Sequence, residues 1–232
     1  MKKYIIILIF LLIPLISWAE FDFLSTNTTN TKINSIELIW SADTYTPHEY
    51  EGRKLASSGS KIIIDALLNI SNGTKNDLKF SWFYENIFQK TKSGYGKDSF
   101  YFYANQLPGG IHTIKVQIFN DDRSIFEEKE IIIPIVDTEL FISSSIILPG
   151  REFSFIAKPY FFSINKLTDL EFEWNVLGQN PIVSSDYNAS VLNLSISDKE
   201  NNNVLESNLS LKISNKNGSN QEEFKTINFL IY

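Results

Sequence analysis

The sequence predicts an all-β fold in which two tandem immunoglobulin-like β-sandwich domains follow an N-terminal signal helix. Three observations lead to this prediction. Short apolar runs broken by Gly, Pro, Asn and Asp recur from residue 36 onward. A tryptophan-containing segment occurs twice, and no segment after residue 20 has the periodicity of a long amphipathic helix.

The strongest of these observations is the internal repeat. Asp77–Trp82 (Asp-Leu-Lys-Phe-Ser-Trp) matches Asp169–Trp174 (Asp-Leu-Glu-Phe-Glu-Trp) at an offset of 92 residues. Two further matches follow at an offset of 95 residues: Ile114–Asn120 with Leu209–Asn215, and Glu127–Glu128 with Glu222–Glu223. This repeat length fits the roughly 100 residues of an immunoglobulin-like domain. The predicted parts are a signal peptide at 1–19, a linker at 20–35, a first domain at 36–136 and a second domain at 137–232.

Six strands of the first repeat are predicted from alternating or continuous apolar runs bounded by turn-forming residues. Their predicted ranges are Ile36–Trp40, Lys61–Leu67, Leu78–Tyr84, Ser99–Ala104, Thr113–Phe119 and Glu130–Val136.

The tryptophan strands predict where the two cores lie. Successive side chains of a strand point to opposite faces, so Leu78, Phe80 and Trp82 share one face, and Phe172 and Trp174 repeat this. Because the chain has no Cys, the disulfide on which such a tryptophan packs in antibody domains is missing. We therefore expect an aliphatic partner layer, and stacking of these tryptophans on a sugar is the alternative. The expected partners in the first repeat are Ile62, Ile64 and Ala66 facing Ile114, Val116 and Ile118.

The N-terminus has the layout of a secretory signal peptide. Lys2 and Lys3 precede an apolar run at 4–16, and Ser17-Trp18-Ala19 supplies small residues for cleavage. The run is shorter than the roughly 20 residues of a spanning helix, and an uncleaved N-terminal anchor is the alternative. We expect an exported protein that is periplasmic, on the cell surface or extracellular.

The composition argues against several kinds of site. A net charge of -6 and a pI of about 5.1 argue against nucleic-acid binding, which needs clustered Lys and Arg. The lack of Cys excludes thiolate nucleophiles and thiolate metal sites, and His48 and His112 are too few for a multi-histidine site. For Asp121, Asp122 and Asp137 a solvated turn is preferred over a calcium site, because no Asp-x-Asp-x-Asp spacing occurs. We expect no enzyme activity, cofactor or metal.

One strand ending resembles a known family. Gly110–Asn120 reads Gly-Ile-His-Thr-Ile-Lys-Val-Gln-Ile-Phe-Asn and resembles the Gly-x-Tyr-x-Val-x-Leu-x-Val-x-Asn ending of PKD (polycystic kidney disease) domains. His112 stands where that family has Tyr, and Phe80–Trp82 is similar to its aromatic-x-Trp strand. The family continues Asp-Phe-Gly-Asp-Gly, whereas this chain reads Phe-Tyr-Glu-Asn at 83–86. The resemblance is therefore PKD-like, and it implies an immunoglobulin-like sandwich.

Three other segments are similar to a layout found in exported two-domain proteins of small-genome, candidate-phylum (Patescibacteria-like) bacteria. They are Tyr45–Arg53, Ser93–Lys97 and Ala157–Phe162. This resemblance covers nearly the whole mature chain. It implies a fold and a location but no mechanism, since no activity is assigned to those proteins.

Aromatic side chains are the candidate partner-binding residues. Tyr95 lies between two glycines in a segment that we interpret first as a tight turn. The runs Tyr101–Tyr103 and Tyr160–Phe162 hold more consecutive aromatic residues than one strand face buries, and an exposed remainder would mark an interaction site. Burial of these runs in the seam between the domains is the alternative. The candidates are Tyr95, Tyr101, Tyr103, Tyr160, Phe161 and Phe162.

These features predict an exported, non-catalytic binding or structural module for cell-surface assembly or adhesion. The expected partner is a protein or a surface glycan, with no nucleic acid, and with membrane contact only through an uncleaved signal segment. The alternative is a periplasmic chaperone for surface or pilus subunits, because pilus chaperones also combine a signal peptide with two immunoglobulin-like domains. Arg151 is the candidate anchor for a client, and an unpaired apolar edge strand in the first domain would favour this alternative.

Overall fold

The computed structural model describes residues 31–148, 152–177, 179–195, 205–217 and 220–231. The predicted signal peptide, most of the predicted linker and Arg151 lie outside the described residues. The described part consists of sixteen β-strands and three short 3-10 helices. None of its helices has the length and apolar character needed to cross a membrane. The prediction of an all-β fold is confirmed.

The first sandwich packs a three-stranded sheet of order β1-β3-β7 against a larger sheet of order β2-β9-β8-β4-β5, with β6 paired to β4. Neighbouring strands are antiparallel except that β2 pairs in parallel with the end of β9. The strands are β1 (Lys32–Ala42), β2 (Ala56–Ser57), β3 (Lys61–Asn72), β4 (Lys79–Tyr84), β5 (Ile87–Phe88), β6 (Gly94–Tyr95), β7 (Ser99–Tyr103), β8 (Ile111–Phe119) and β9 (Phe126–Val136).

The second sandwich repeats this arrangement with sheets of order β10-β11-β14 and β13-β12-β15-β16. Its strands are β10 (Glu139–Leu148), β11 (Glu152–Tyr160), β12 (Leu170–Val176), β13 (Ile182–Ser184), β14 (Val191–Ser195), β15 (Leu205–Asn215) and β16 (Glu222–Ile231). Two residues, Asp137 and Thr138, connect the sandwiches.

The start of β1 corrects the predicted boundary between linker and first domain. The strand begins at Lys32, so residues 32–35 of the predicted linker pair with the end of β3. Register shifts between Lys32 and Ile33 and between Ile33 and Ser35 interrupt the pairing there. Such irregularities break the two-residue alternation by which a strand is recognised in a sequence.

The Asp that begins each Asp-Leu-x-Phe-x-Trp segment has a structural role. A 3-10 helix precedes each tryptophan strand, at Lys75–Asp77 and at Leu167–Asp169. The Asp77 carboxylate accepts a hydrogen bond from the Thr74 backbone N–H at 3.0 Å. The Asp169 carboxylate accepts a hydrogen bond from the Lys166 backbone N–H at 3.1 Å. Each Asp therefore fixes the turn that leads into its strand.

The two tryptophans occupy equivalent places in two separate cores. Trp82 is fully buried and Trp174 is 2% exposed. Trp82 Nε1 donates to the Lys97 carbonyl at 2.8 Å, and Trp174 Nε1 donates to the Ala189 carbonyl at 2.9 Å. In both domains the acceptor lies fifteen residues after the tryptophan. Phe80 and Phe172, two residues before these tryptophans, are also fully buried.

Candidate binding surfaces

The two histidines lie apart, and the loop carboxylate Asp122 belongs to a turn. His48 is exposed on a loop and His112 is buried, so the two histidines do not share a site. Within the described residues, no three His, Cys, Asp or Glu side chains are grouped to hold a metal ion. Asp122 accepts from the Ser124 backbone N–H at 2.9 Å, and this hydrogen bond lowers the pKa of Asp122. The carboxylate therefore closes a turn.

His112 lies inside the first core. Its Nδ1 is 3.1 Å from the Tyr84 hydroxyl and 3.4 Å from Glu85 Oε1, and its Nε2 has no hydrogen-bond partner among the described residues. Burial lowers the pKa of His112, and Glu85 opposes this shift. The side chain is therefore held neutral in the fold at neutral pH.

Two of the predicted aromatic candidates share one exposed surface of the first domain. Tyr101 and Tyr103 alternate with buried Phe100 and Phe102 along β7, and they are 43% and 64% exposed. Lys92 Nζ lies 3.3 Å and Lys61 Nζ 4.8 Å from the Tyr101 ring centroid. The nearby Lys92 ammonium lowers the pKa of Tyr101, with a smaller contribution from the charge of Lys61. We call Lys61, Lys92, Tyr101 and Tyr103 the Tyr–Lys track.

The track follows a sheet edge. β7 is the outer strand of the β1-β3-β7 sheet within the described residues. Ala104 N–H donates to the Ser60 carbonyl and Ala66 N–H donates to the Asp98 carbonyl, so the even-numbered residues of β7 bond toward β3. By the alternation of an antiparallel ladder, the backbone groups of Tyr101 and Tyr103 point away from β3, toward the free edge.

Tyr95 is exposed but belongs to the other sheet of the first domain. It lies in β6 opposite Lys79, and its hydroxyl donates to Asp121. This hydrogen bond raises the pKa of Tyr95. The structure therefore does not bring Tyr95 onto the surface formed by Tyr101 and Tyr103.

The run Tyr160–Phe162 corrects the prediction of a free surface. Phe161 is 4% exposed and Phe162 is fully buried, while Tyr160 is half-buried. The Phe161 and Tyr160 rings pack edge-on against Tyr50 of the first domain, with centroids 5.8 and 5.6 Å from it. The alternative, burial in the seam between the domains, is what the structure shows. Phe161 also has a φ of 61°, which a bulky side chain adopts only when its surroundings hold it there.

The long connection between β1 and β3 supplies the first half of this seam. Tyr45 N–H donates to the Phe162 carbonyl at 2.8 Å, and Phe161 N–H donates to the Tyr45 carbonyl at 2.7 Å. The Tyr45 side chain packs against the core of the second domain, and burial raises its pKa. Lys158 forms an ion pair with Glu49 at 2.5 Å beside them. A strand-like contact and a shared core residue therefore join the two domains.

Gln221 supplies the second half of the seam. It is 6% exposed, its Nε2 donates to Ser57 Oγ at 2.9 Å and to the Ser58 carbonyl at 3.1 Å, and its Oε1 accepts from Ser163 N–H at 2.9 Å. Close by, Thr138 Oγ1 donates to Glu223 Oε1 at 2.6 Å. Burial raises the pKa of Glu223, an effect that this hydrogen bond opposes.

Two pockets lie at the seam. One has a volume of about 290 Å³ and is lined by Leu107 and Thr138 among others, and the other has a volume of about 220 Å³. The second pocket, which we call the seam groove, is lined by Asp43, Lys61, Tyr103, Ser163, Asn165 and Asn217 among others. Tyr103 and Lys61 belong to both the track and the seam groove, so the two form one continuous surface.

Sequence reasoning missed an aromatic face on the larger sheet of the first domain. The Phe83 ring packs on Phe88, with centroids 5.6 Å apart, and Lys115 Nζ lies 5.2 Å from the Phe83 centroid. The Phe119 ring is contacted in the same way by Lys79 at 5.7 Å and by Arg123 at 5.3 Å. Alternation could have found this face, because a strand whose Trp points inward must point the next residue outward.

Comparisons with known proteins identify no family for the chain. No protein-family model and no curated protein matches the sequence. Similar solved structures include three N-terminal domains of the Highly Immunogenic Outer Capsid protein of bacteriophage RB49, at 9% identity and a TM-score of 0.48. That match covers 85% of this chain and 58% of the phage chain. This chain therefore spans less than two thirds of the length of the phage chain.

Two further similar structures are fibronectin-type modules. The fibronectin(III)-like modules of Clostridium thermocellum CbhA match at 10% identity with a TM-score of 0.28, over 83% of this chain and 94% of that one. The FN1-FN3 domains of chicken CNTN1 match at 11% identity with a TM-score of 0.29, over 82% and 67%. At these identities and TM-scores, the similarity gives no information on the partners or activity of this protein.

Proposed function

We infer that the protein is an exported, non-catalytic binding module of the cell envelope, used in surface assembly or adhesion. The observation that carries this proposal is the exposed aromatic and cationic surface of the first domain. Exposed aromatic side chains with a polar or charged companion are enriched at binding interfaces. The signal-peptide layout of residues 1–19 and the PKD-like ending at Gly110–Asn120 support the location outside the cytoplasm.

The seam supports a module that acts as one unit. Tyr45 enters the second core, and Gln221 is hydrogen-bonded across the boundary. Domains that share buried contacts hold their relative orientation, which a binding surface at their junction requires. The second domain holds the first domain in a fixed orientation.

The direct test is co-sedimentation of the purified mature chain with an envelope fraction from the producing cells. We expect saturable binding at neutral pH that a heat-denatured sample does not show. Absence of saturable binding would contradict the proposed function.

A second candidate function, a periplasmic chaperone for incomplete β-sandwich subunits, is favoured by one observation. Within the described residues β7 is an aromatic edge strand of the first domain, and edges of this kind accept an additional strand. Against it, the last strand of the first domain, β9, carries Glu127, Glu128, Lys129 and Glu130, whereas pilus chaperones pair that strand with their client. The test is suppression of aggregation of a sandwich subunit that lacks one strand. Equal aggregation with and without the protein would exclude this candidate.

A further inference from the structure

The Tyr–Lys track and the seam groove carry an excess of positive charge on an acidic protein. Lys61 and Lys92 have no carboxylate within ion-pair distance among the described residues, and neither does Lys90, which precedes Lys92 by two residues on the same 3-10 helix. Among the described residues Asp43 is the one carboxylate that lines the seam groove, and Asp65 shares the outward face of β3 with Lys61. The whole chain has a net charge of -6. A local cationic surface on such a chain attracts an anionic group.

The seam groove adds the groups that recognise hydroxyls. Asn165 and Asn217 line it from the second domain, and both are exposed. Their backbone N–H groups bond to Asp169 and to Asn215, but their side-chain amides have no hydrogen-bond partner among the described residues. Each amide therefore offers two donors and an acceptor to a ligand. Tyr103, 64% exposed, supplies a flat apolar ring beside them.

We propose that this surface binds an acidic saccharide, a uronate- or phosphate-bearing unit of an envelope polysaccharide. The inference rests on the proposed function and names the partner class of that same surface. One sugar ring stacks on Tyr103, its hydroxyls bond to Asn165 and Asn217, and its anionic group lies near Lys61. The continuation of the polysaccharide runs along β7 past Tyr101 toward Lys92.

The size of the surface fits one unit of a longer chain. The seam groove has a volume of about 220 Å³ and is open to solvent. Pockets that enclose whole drug-sized ligands measure roughly 300–1,000 Å³. A polysaccharide gains affinity from several such weak contacts along its length, which suits an open track better than a closed cavity.

The experiment uses the full mature chain on an immobilised oligosaccharide array with neutral, uronate-bearing and phosphate-bearing members. We expect binding to acidic members, weaker binding to neutral members of equal length, and loss of affinity as salt is raised, because exposed charges are screened. Binding to no oligosaccharide, or equal binding to neutral and acidic members, overturns the proposal.

Variants then locate the site on the best acidic oligosaccharide. Tyr103→Ala is expected to weaken binding about tenfold through loss of the stacking ring. Asn165→Ala and Asn217→Ala are expected to weaken it roughly threefold to tenfold each. Tyr187→Ala is the matched control, because Tyr187 is 87% exposed on the second domain and lines none of these surfaces. Equal affinity of Tyr103→Ala and wild type overturns the assignment.

Treatment of the envelope fraction separates this inference from the proposed function. If the inference holds, periodate oxidation of the envelope glycans abolishes co-sedimentation and protease treatment does not. If protease abolishes binding and periodate does not, the partner is a protein, so the saccharide assignment fails while the binding module stands. Absence of binding to untreated envelope defeats both.

Discussion

The two domains have the same core and different surfaces. Both place a tryptophan at the centre of the sandwich with its Nε1 bonded to a carbonyl fifteen residues later. All six contacts between a cation and an aromatic ring in the described residues lie in the first domain. Phe83, which follows the first tryptophan, has Asn175 as its counterpart, and Phe119 has Ser214. Residues 31–136 hold 12 basic and 13 acidic residues, against 7 and 12 in residues 137–232.

The connection between the first two long strands also differs between the domains. In the first domain β1 and β3 are separated by residues 43–60, which contain Tyr45, Glu49, Tyr50 and the seam contacts. In the second domain only residues 149–151 separate β10 from β11. The repeated part of the sequence thus specifies folding, and the unrepeated part specifies the seam and the exposed surfaces.

The largest expected effect tests the equivalence of the cores. Trp82→Ala and Trp174→Ala should each reduce the free energy of unfolding of their own domain by about 3–5 kcal/mol, because each leaves a large cavity. Chemical denaturation followed domain by domain with hydrogen exchange measures both. A loss in one domain only would show that the cores are not equivalent.

The next effect tests the seam. Gln221→Ala should reduce the free energy of unfolding by about 1–3 kcal/mol, because it leaves buried polar groups of both domains unpaired. The matched control is Gln117→Ala, whose half-buried side chain bonds to Glu128 at 2.7 Å at the surface of one domain. Equal melting curves for the two variants would argue against a fixed seam.

The buried histidine predicts a pH dependence confined to the first domain. The pKa of His112 in the folded state is lowered by burial, so the unfolded chain binds its proton more readily. The contribution of neutral His112 to the free energy of unfolding is complete above its unfolded pKa of about 6.5. This contribution is lost as pH falls below that value. We expect hydrogen exchange in β8 to accelerate between pH 7.5 and 5.5, and His112→Phe to remove this dependence. Equal acceleration in β15 of the second domain, which has no His, would contradict the assignment.

The smallest effect concerns the Tyr–Lys track. Lys92→Ala should move the pKa of Tyr101 upward toward its ordinary value, because the interaction with the Lys92 ammonium is the main cause of its lowering. Stability should change little, since both side chains lie at the surface. Ultraviolet titration of tyrosine ionisation measures the shift, with Lys54→Ala as the control. An unchanged titration curve would show that Lys92 does not interact with Tyr101, so Lys92 would not belong to the Tyr–Lys track.

The fold was predictable because its signals are local, whereas the residue pairs that form the seam were not. Alternation around Phe80 and Trp82, together with the repeat, is enough to predict two sandwiches. The seam depends on contacts between distant residues, such as Tyr45 with Phe162 and Gln221 with Ser57. No local pattern marks such pairs. Tyr103 could be named from the sequence, but its neighbours Asn165 and Asn217 belong to the other domain.

We propose that the first domain and its seam form the binding surface, which the second domain supports. The most direct measurement compares the affinity of Tyr103→Ala and Tyr187→Ala for untreated envelope in one co-sedimentation assay. We predict about tenfold weaker binding for the Tyr103 variant and wild-type binding for the Tyr187 variant. Wild-type binding by both, or the larger loss in the Tyr187 variant, would contradict the account.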